Sequence, residues 1–246
     1  MGDAVRGCET MPERSLDLDI LSYLANADAA VGVVALHQAL HKRHRISQAT
    51  LGRRLLDLDR RGLTVRQSNQ GRLLTAEGRA HVQELMQKTL KRQESDAFLH
   101  SLSGDSVEVL LEVLVARRAL EREVARIAAR RITDADLAEL WGIIDRQEQA
   151  LTQGSSGSQE DLRLHTRLGE IAGNRVLQTA LRLVRQQSQL TSLFAFIRYS
   201  RGPRVVSDHR RLVSALQTRD PAAAALAMEE HIDNLITSVE AYFRST

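Results

Sequence analysis

Apolar residues recur at three- and four-residue intervals along nearly the whole chain. Behind Ser15, a candidate N-cap, Leu16, Ile20, Leu21 and Leu24 predict a helix over 16–26. A second helix is predicted over 33–42. Ile46-Ser47 breaks the pattern, and Ser47 caps a third helix that runs to Arg61 and ends at Gly62. In that helix Leu51, Leu55 and Leu58 fall on one buried face. The period then changes. Two short runs, 63–66 and 72–75, flank the polar turn Ser68-Asn69-Gln70-Gly71 and predict a β-hairpin. Three helices followed by a hairpin is the order of a winged helix-turn-helix.

A long helix is predicted over 76–102, and Ser103-Gly104-Asp105 ends it. Beyond this point only helical periodicity remains, over 106–130, 133–152, 159–172, 175–199, 207–217 and 221–243. The breaks are well marked: Thr133 as a cap, Gly154 to Gly157 as a loop, Gly173-Asn174 as a stop. Arg201-Gly202-Pro203 is a further break, Ser207 a cap, and Asp220-Pro221 a cap with proline in the first turn. The predicted class is mainly α: a winged helix-turn-helix followed by an antiparallel all-helical bundle. The expected divisions are a tail over 1–14, a DNA-binding domain with its long connecting helix over 15–102, and a helical domain over 106–246.

Composition supports this division. Of 246 residues, 43% are hydrophobic and 26% charged, enough to bury a core and unlike a disordered or fibrous chain. Aromatics at 3% and only three prolines leave little strand vocabulary. No apolar run reaches the roughly 18–20 residues of a membrane span. Met1 to Arg14 has no apolar segment of a secretory signal, and the single Cys8 cannot form an internal disulfide, so a reducing cytoplasm is the expected compartment.

The net charge of +3 is unevenly spread. Through Arg92 there are 15 Lys/Arg against 10 Asp/Glu; afterwards there are 19 against 21. The basic part coincides with the predicted winged helix, which points to a polyanion. The third helix opens on Ser47, Gln48, Thr50, Arg53 and Arg54, which its leucine face leaves outward. Polar and arginine side chains near a helix N-terminus are what read base edges in the major groove. Arg66 and Arg72 flank the hairpin, where a wing approaches phosphate or the minor groove. The expected partner is double-stranded operator DNA. His37, His41 and His44 also share a helical face, but no acid or cysteine lies close in sequence, and a solvated polar face is the preferred reading.

In the bundle Asp161 and His165 are four apart and share a helix face. His209 and His231 lie on two later helices, and no other histidine follows His100. Three imidazoles and a carboxylate suit zinc, nickel, manganese or cobalt, with positions left open. Spacing alone does not bring them together, because lone helical histidines are usually surface groups or satisfied core groups.

Four separated stretches resemble a known family. They are Arg117-Arg118-Ala119-Leu120-Glu121 with Ala128-Ala129; Asp161 through His165 to Gly173-Asn174; Ser207-Asp208-His209; and Asp220-Pro221 with its following alanines, then His231. In this order, over about 107–239, they resemble the FCD ligand-binding domain of the FadR-like branch of GntR-type bacterial transcription regulators. The resemblance implies that Asp161, His165, His209 and His231 hold a divalent metal, zinc foremost, beside which a small carboxylate binds. It implies an effector role for Arg117, with which Asn234 is grouped. The N-terminal part departs from the family: Ser47, Thr50 and Arg54 keep only the outline of its reader helix. Leu73-Leu74-Thr75-Ala76-Glu77-Gly78 resembles the wing-to-helix junction of other winged-helix regulators.

The expectation is a cytoplasmic, homodimeric transcription regulator, not an enzyme, that senses a small organic acid through a bound metal. A metalloenzyme using the same Asp/His3 set is the alternative, disfavoured by the lack of an obvious general base. A metal-free bundle that only dimerises is the third reading.

Overall fold

The structure, a computed structural model, describes residues 16–103, 106–185 and 203–244. The predicted tail, the predicted Ser15 cap, Cys8, the predicted break at Gly104-Asp105, the part of the predicted 175–199 helix beyond Arg185, and Arg201-Gly202 lie outside the described residues. Two compact units divide between Asp96 and Ala97.

The first unit carries α1 (Leu16–Ala25), α2 (Val33–His44), α3 (Gln48–Arg60), β1 (Thr64–Gln67), β2 (Gly71–Leu74) and α4 (Ala76–Ser101), whose last turn belongs to the second unit. Its core is aliphatic: Ile20, Leu21, Leu36, Leu51, Leu55 and Leu58 are fully buried, closed by Leu63, Leu74 and Val82. The Ser47 hydroxyl accepts from the Thr50 amide at 3.2 Å and starts α3 as predicted. The turn between α2 and α3 is tied down by histidines. His44 Nε2 meets Asp19 Oδ2 at 2.8 Å, and His37 Nε2 meets the Ile46 carbonyl at 2.9 Å. These rings hold the helix-turn-helix together instead of forming a solvated face.

β1 and β2 pair antiparallel, Thr64 opposite Leu74 and Arg66 opposite Arg72. A third segment joins them, because Val31 and Arg72 exchange both backbone hydrogen bonds at 2.9 and 3.0 Å. Gly71 makes this possible. Its φ is +125°, and a Cβ there would come within 2.3 Å of the Val31 carbonyl. Gly78 has a different reason: a Cβ would lie 2.0 Å from the Leu63 carbonyl oxygen, so only glycine lets α4 start against the hairpin.

The second unit contains α5 (Val107–Ala129), α6 (Asp134–Thr152), α7 (Ser158–Ala172), α8 (Arg175–Arg185), α9 (Pro203–Gln217) and α10 (Pro221–Arg244). Thr133 and Asp136 form a capping box on α6, and Asp220 caps α10 by accepting from the Ala222 amide at 2.8 Å. One prediction needs correction: α9 begins at Pro203, so Ser207 is inside the helix and does not cap it. Proline at the first helical position starts a helix as readily as it ends one, so the break predicted at Arg201-Gly202-Pro203 is at Pro203 also a helix start.

Helix α5 is central, packing on α10, α7, α8 and α9, while α6 bridges α7 and α9. Two apolar clusters form. One gathers Val124, Ala128, Leu140, Ile144, Leu164, Leu168, Leu212 and Met228; the other gathers Leu110, Val113, Leu114, Val184, Leu235 and Val239. Along α5 the clusters are separated by two buried charged residues, Arg117 and Glu121. That polar layer is where the candidate site lies.

Candidate metal centre

Asp161 and His165 reach the layer from successive turns of α7, His209 from the second turn of α9, and His231 from the middle of α10. All four are 6% exposed or less. One donor atom from each lies within 4.8 Å of all the others. Asp161 Oδ1 is 3.4 Å from His209 Nε2 and 3.7 Å from His165 Nε2. With metal–ligand bonds of about 2.1 Å, tetrahedral ligands stand about 3.4 Å apart, so these edges suit a shared ion. The three rings crowd one another, with centroids 4.7–5.6 Å apart.

Two of the three rings have an outer acceptor on their second nitrogen. His209 Nδ1 is 2.7 Å from Gln147 Oε1, which can only accept, so Nδ1 carries the proton and Nε2 keeps its lone pair. His165 Nδ1 rests on the Glu121 carboxylate, leaving its Nε2 toward Asp161. An outer acceptor on the far ring nitrogen is the usual support of a metal-bound histidine. His209 Nε2 and both His231 nitrogens are buried without a hydrogen bond, so His209 Nε2 and one of the two His231 nitrogens have lone pairs open to an ion. Leaving a buried polar atom unsatisfied costs about 1–3 kcal/mol. A cation accepting those lone pairs removes that cost, and the residues fit a divalent ion.

Burial above all keeps His165 and His231 in the neutral form that can ligate. Burial, then the Arg185 cation, lowers His165 to about 4. Burial and the neighbouring His209 and His165 rings hold His231 well below the ordinary imidazole value. For Glu121, burial alone would favour protonation, but Arg185, His165 and Arg117 outweigh it and keep the carboxyl well below its usual range. Arg117 Nε donates to Glu121 Oε1 at 2.8 Å; Arg185 donates to Glu121 Oε2 and to Asp161 Oδ2, each at 3.0 Å. Two carboxylates thus face two guanidinium groups.

The sequence pattern did not single out Glu121, Gln147 or Arg185 as site residues. Of the two residues expected at the effector, Arg117 is part of this layer, its Nε donating to Glu121, and Asn234 donates to both Asp208 oxygens at 3.2 Å. A cavity of about 490 Å³ opens beside the centre between α7 and α8. His165 and Arg185 form part of its wall, together with Leu162, Thr166, Gln178 and Arg182.

In the winged helix, Gln48, Arg53 and Arg66 are exposed, while Ser47 is spent on its cap and Thr50 is partly covered. Arg54 Nε pairs with Asp17 at 2.6 Å. Arg72, 12% exposed, turns to Asp59 at 2.9 Å. Among the described residues no helix is long and apolar enough to cross a membrane.

Residues 112–234, half of the chain, match the FCD domain, and residues 18–85 match the Ribonuclease R winged-helix domain. The chain is 24% identical over 211 residues to the HTH-type transcriptional regulator LutR of Bacillus subtilis, covering 84% of this chain and 90% of that protein. It is 29% identical over 129 residues to the Uxu operon regulator of Haemophilus influenzae, covering 50% of this chain and only 48% of that protein, about half its length. The solved structure of E. coli McbR/YncC shares the fold, with a TM-score of 0.50 at 16% identity, over 94% of this chain and all of that one. With an FCD domain behind a winged helix, the chain belongs to the FadR-like branch of the GntR family of transcription regulators.

Proposed function

We propose that this protein is a metabolite-responsive transcription regulator that binds operator DNA as a homodimer. In this reading the bundle senses a small organic acid at a divalent ion held by Asp161, His165, His209 and His231, zinc being the first candidate and nickel, manganese or cobalt the others. One observation carries it: the inner nitrogens of buried imidazoles from three helices converge on one carboxylate, with outer acceptors behind two of them. Such an ion supplies a Lewis-acidic anchor for a carboxylate oxygen.

The charge count favours an anionic effector. Asp161 and Glu121 balance Arg117 and Arg185 while the histidines are neutral. A divalent ion leaves the buried layer with an excess of two positive charges, and an acid offsets them in a poorly screened interior. Arg117 and Asn234 then serve the effector indirectly, by positioning Glu121 and Asp208. DNA contact falls first to Gln48, Arg53 and Arg66; Arg54, half exposed with Nε on Asp17, keeps its terminal N–H groups for DNA, and Arg72 reaches DNA by leaving Asp59. Regulation follows if acid binding biases the placement of two readers on two half-sites. Its relatives are transcription regulators, not enzymes, and the metalloenzyme alternative is set aside.

The test is metal analysis of the purified protein combined with thermal-shift screening of small carboxylates, with and without chelator. We expect one metal per chain and a carboxylate-induced rise in melting temperature that chelator abolishes. Metal-free protein whose His209→Ala variant melts and binds acids like wild type overturns the reading.

A further inference from the structure

Two arginines, Arg182 and Arg185, line the cavity between α7 and α8. Arg185 lies at its inner end, 11% exposed, beside His165. Arg182 lies one turn earlier on α8, exposed, and lines the same cavity. Residues three apart on a helix are neighbours, with Cβ atoms about 5–6 Å apart. The two arginines differ in circumstance. Arg185 already faces Glu121 and Asp161, whereas among the described residues Arg182 has no acidic partner, although paired arginines abound on this bundle. The acid nearest it in the lining, Glu170, is engaged by Arg167 at 3.0 Å. The remaining wall offers the Thr166 hydroxyl and the Gln178 amide, whose Nε2 is spent on the Gly169 carbonyl at 2.6 Å. The volume, about 490 Å³, is that of a small-molecule site.

We infer that the effector carries two anionic groups: one held at the inner end beside His165 and Arg185, the other by the Arg182 guanidinium about one helical turn away. This deepens the sensing role proposed above and rests on it. A guanidinium takes a carboxylate or a phosphate equally through its paired N–H groups, so the second group is either of these. Arg182 is the specificity-determining residue. A monoanion satisfies the inner end alone and leaves Arg182 in water.

The experiment uses the full chain loaded with Zn²⁺ and isothermal calorimetry. The probes are linear dicarboxylates of four to seven carbons, each beside the monocarboxylate of equal length, and a phosphorylated hydroxy acid of similar span. At the best length the dianion should bind about tenfold tighter than its monoanion, the scale of one partly exposed charge-assisted pair. The phosphorylated acid ranking above or below the dicarboxylate identifies the second group. Arg182→Gln should erase the advantage while leaving monoanion affinity and the melting temperature unchanged, because Arg182 is exposed and supports no ion pair within the described fold. Arg182→Lys should restore part of it. Metal-dependent binding of monoanions with no dianion advantage, or an advantage untouched by Arg182→Gln, overturns this inference and leaves the carboxylate sensor standing. If neither series binds zinc-loaded protein, the sensor reading itself fails and takes the inference with it.

Discussion

Replacing Glu121 with glutamine tests whether the centre is held from behind as well as by its ligands. The substitution keeps shape and volume but removes one negative charge from a layer where Glu121 accepts from Arg117, Arg185 and His165 together. Glu121 is 1% exposed and Arg117 3%, so solvent cannot replace the lost charge. Removing one partner of a buried ion pair costs about 3–5 kcal/mol, because the remaining charge is left uncompensated. The glutamine amide adds to this, since its NH2 end meets guanidinium donors on one side or the His165 N–H on the other. For a unit of this size each kcal/mol lowers the melting temperature by about 2–4 °C, so the bundle should melt about 6–20 °C earlier. Metal affinity should fall about 10–100-fold, the usual loss when the outer partner of a ligating histidine is removed. Calorimetric melting and competition with a zinc indicator read the two effects separately. A variant that melts within 2 °C of wild type, roughly 1 kcal/mol or less, and holds zinc as tightly would refute the assignment of Glu121 as the keystone of the layer.

With metal stripped, stability should fall as pH drops from about 6.5 to about 4. His165 titrates at about 4 in the folded chain, so in that window the unfolded chain takes up protons first; the loss approaches about 3 kcal/mol below pH 4 and vanishes above 6.5. Denaturant melts that are flat from pH 7 to 4 would show that the ring is not buried in neutral form. Arg53→Ala should weaken operator binding by about 1–3 kcal/mol through a base contact, or reduce the salt slope by about one through a phosphate contact; electrophoretic titration at two salt concentrations tells them apart. Arg72→Ala should lower the melting temperature of the winged helix first, through loss of the Asp59 pair, and any DNA effect should follow that loss. Gly71→Ala should cost the winged helix about 2–3 kcal/mol or more, from a strained φ and the Val31 carbonyl in the way; a circular-dichroism melt unchanged from wild type would deny the third segment its place.

The helices were legible because burial follows the periodicity closely. Leu51, Leu55 and Leu58 are all fully buried, and Ser47 and Thr133 cap where their side chains and spacing say they must. What escaped the pattern was of two kinds. The start of α9 was misplaced by four residues because Pro203 has opposite meanings at the two ends of a helix. The Val31–Arg72 bridge escaped because a single paired residue leaves no alternation to read. Its only trace is Gly71, and a glycine in a turn already has a sufficient explanation.

The site was legible in its ligands but not in its support. Asp161 and His165 declare themselves by their four-residue spacing, but no spacing links them to His209 or His231, and a family resemblance supplied that step. The outer groups did leave a local signal of another sort. Gln147 continues the stripe of Leu140, Ile143 and Ile144 on α6; Arg117 and Glu121 continue that of Leu110, Val113 and Leu114 on α5; Arg185 follows Leu181 and Val184 on α8. Each is a polar residue at a position the helical period assigns to the core, where an unsatisfied group is costly. One such exception is uninformative, because any side chain can reach a backbone carbonyl. Exceptions on three helices, α5, α6 and α8, need one another: a buried glutamate requires a cation, a buried arginine an anion, and a buried glutamine a donor. The polar layer was therefore implied by the helix patterns. The composition of that layer is what makes its interior a place for a metal ion.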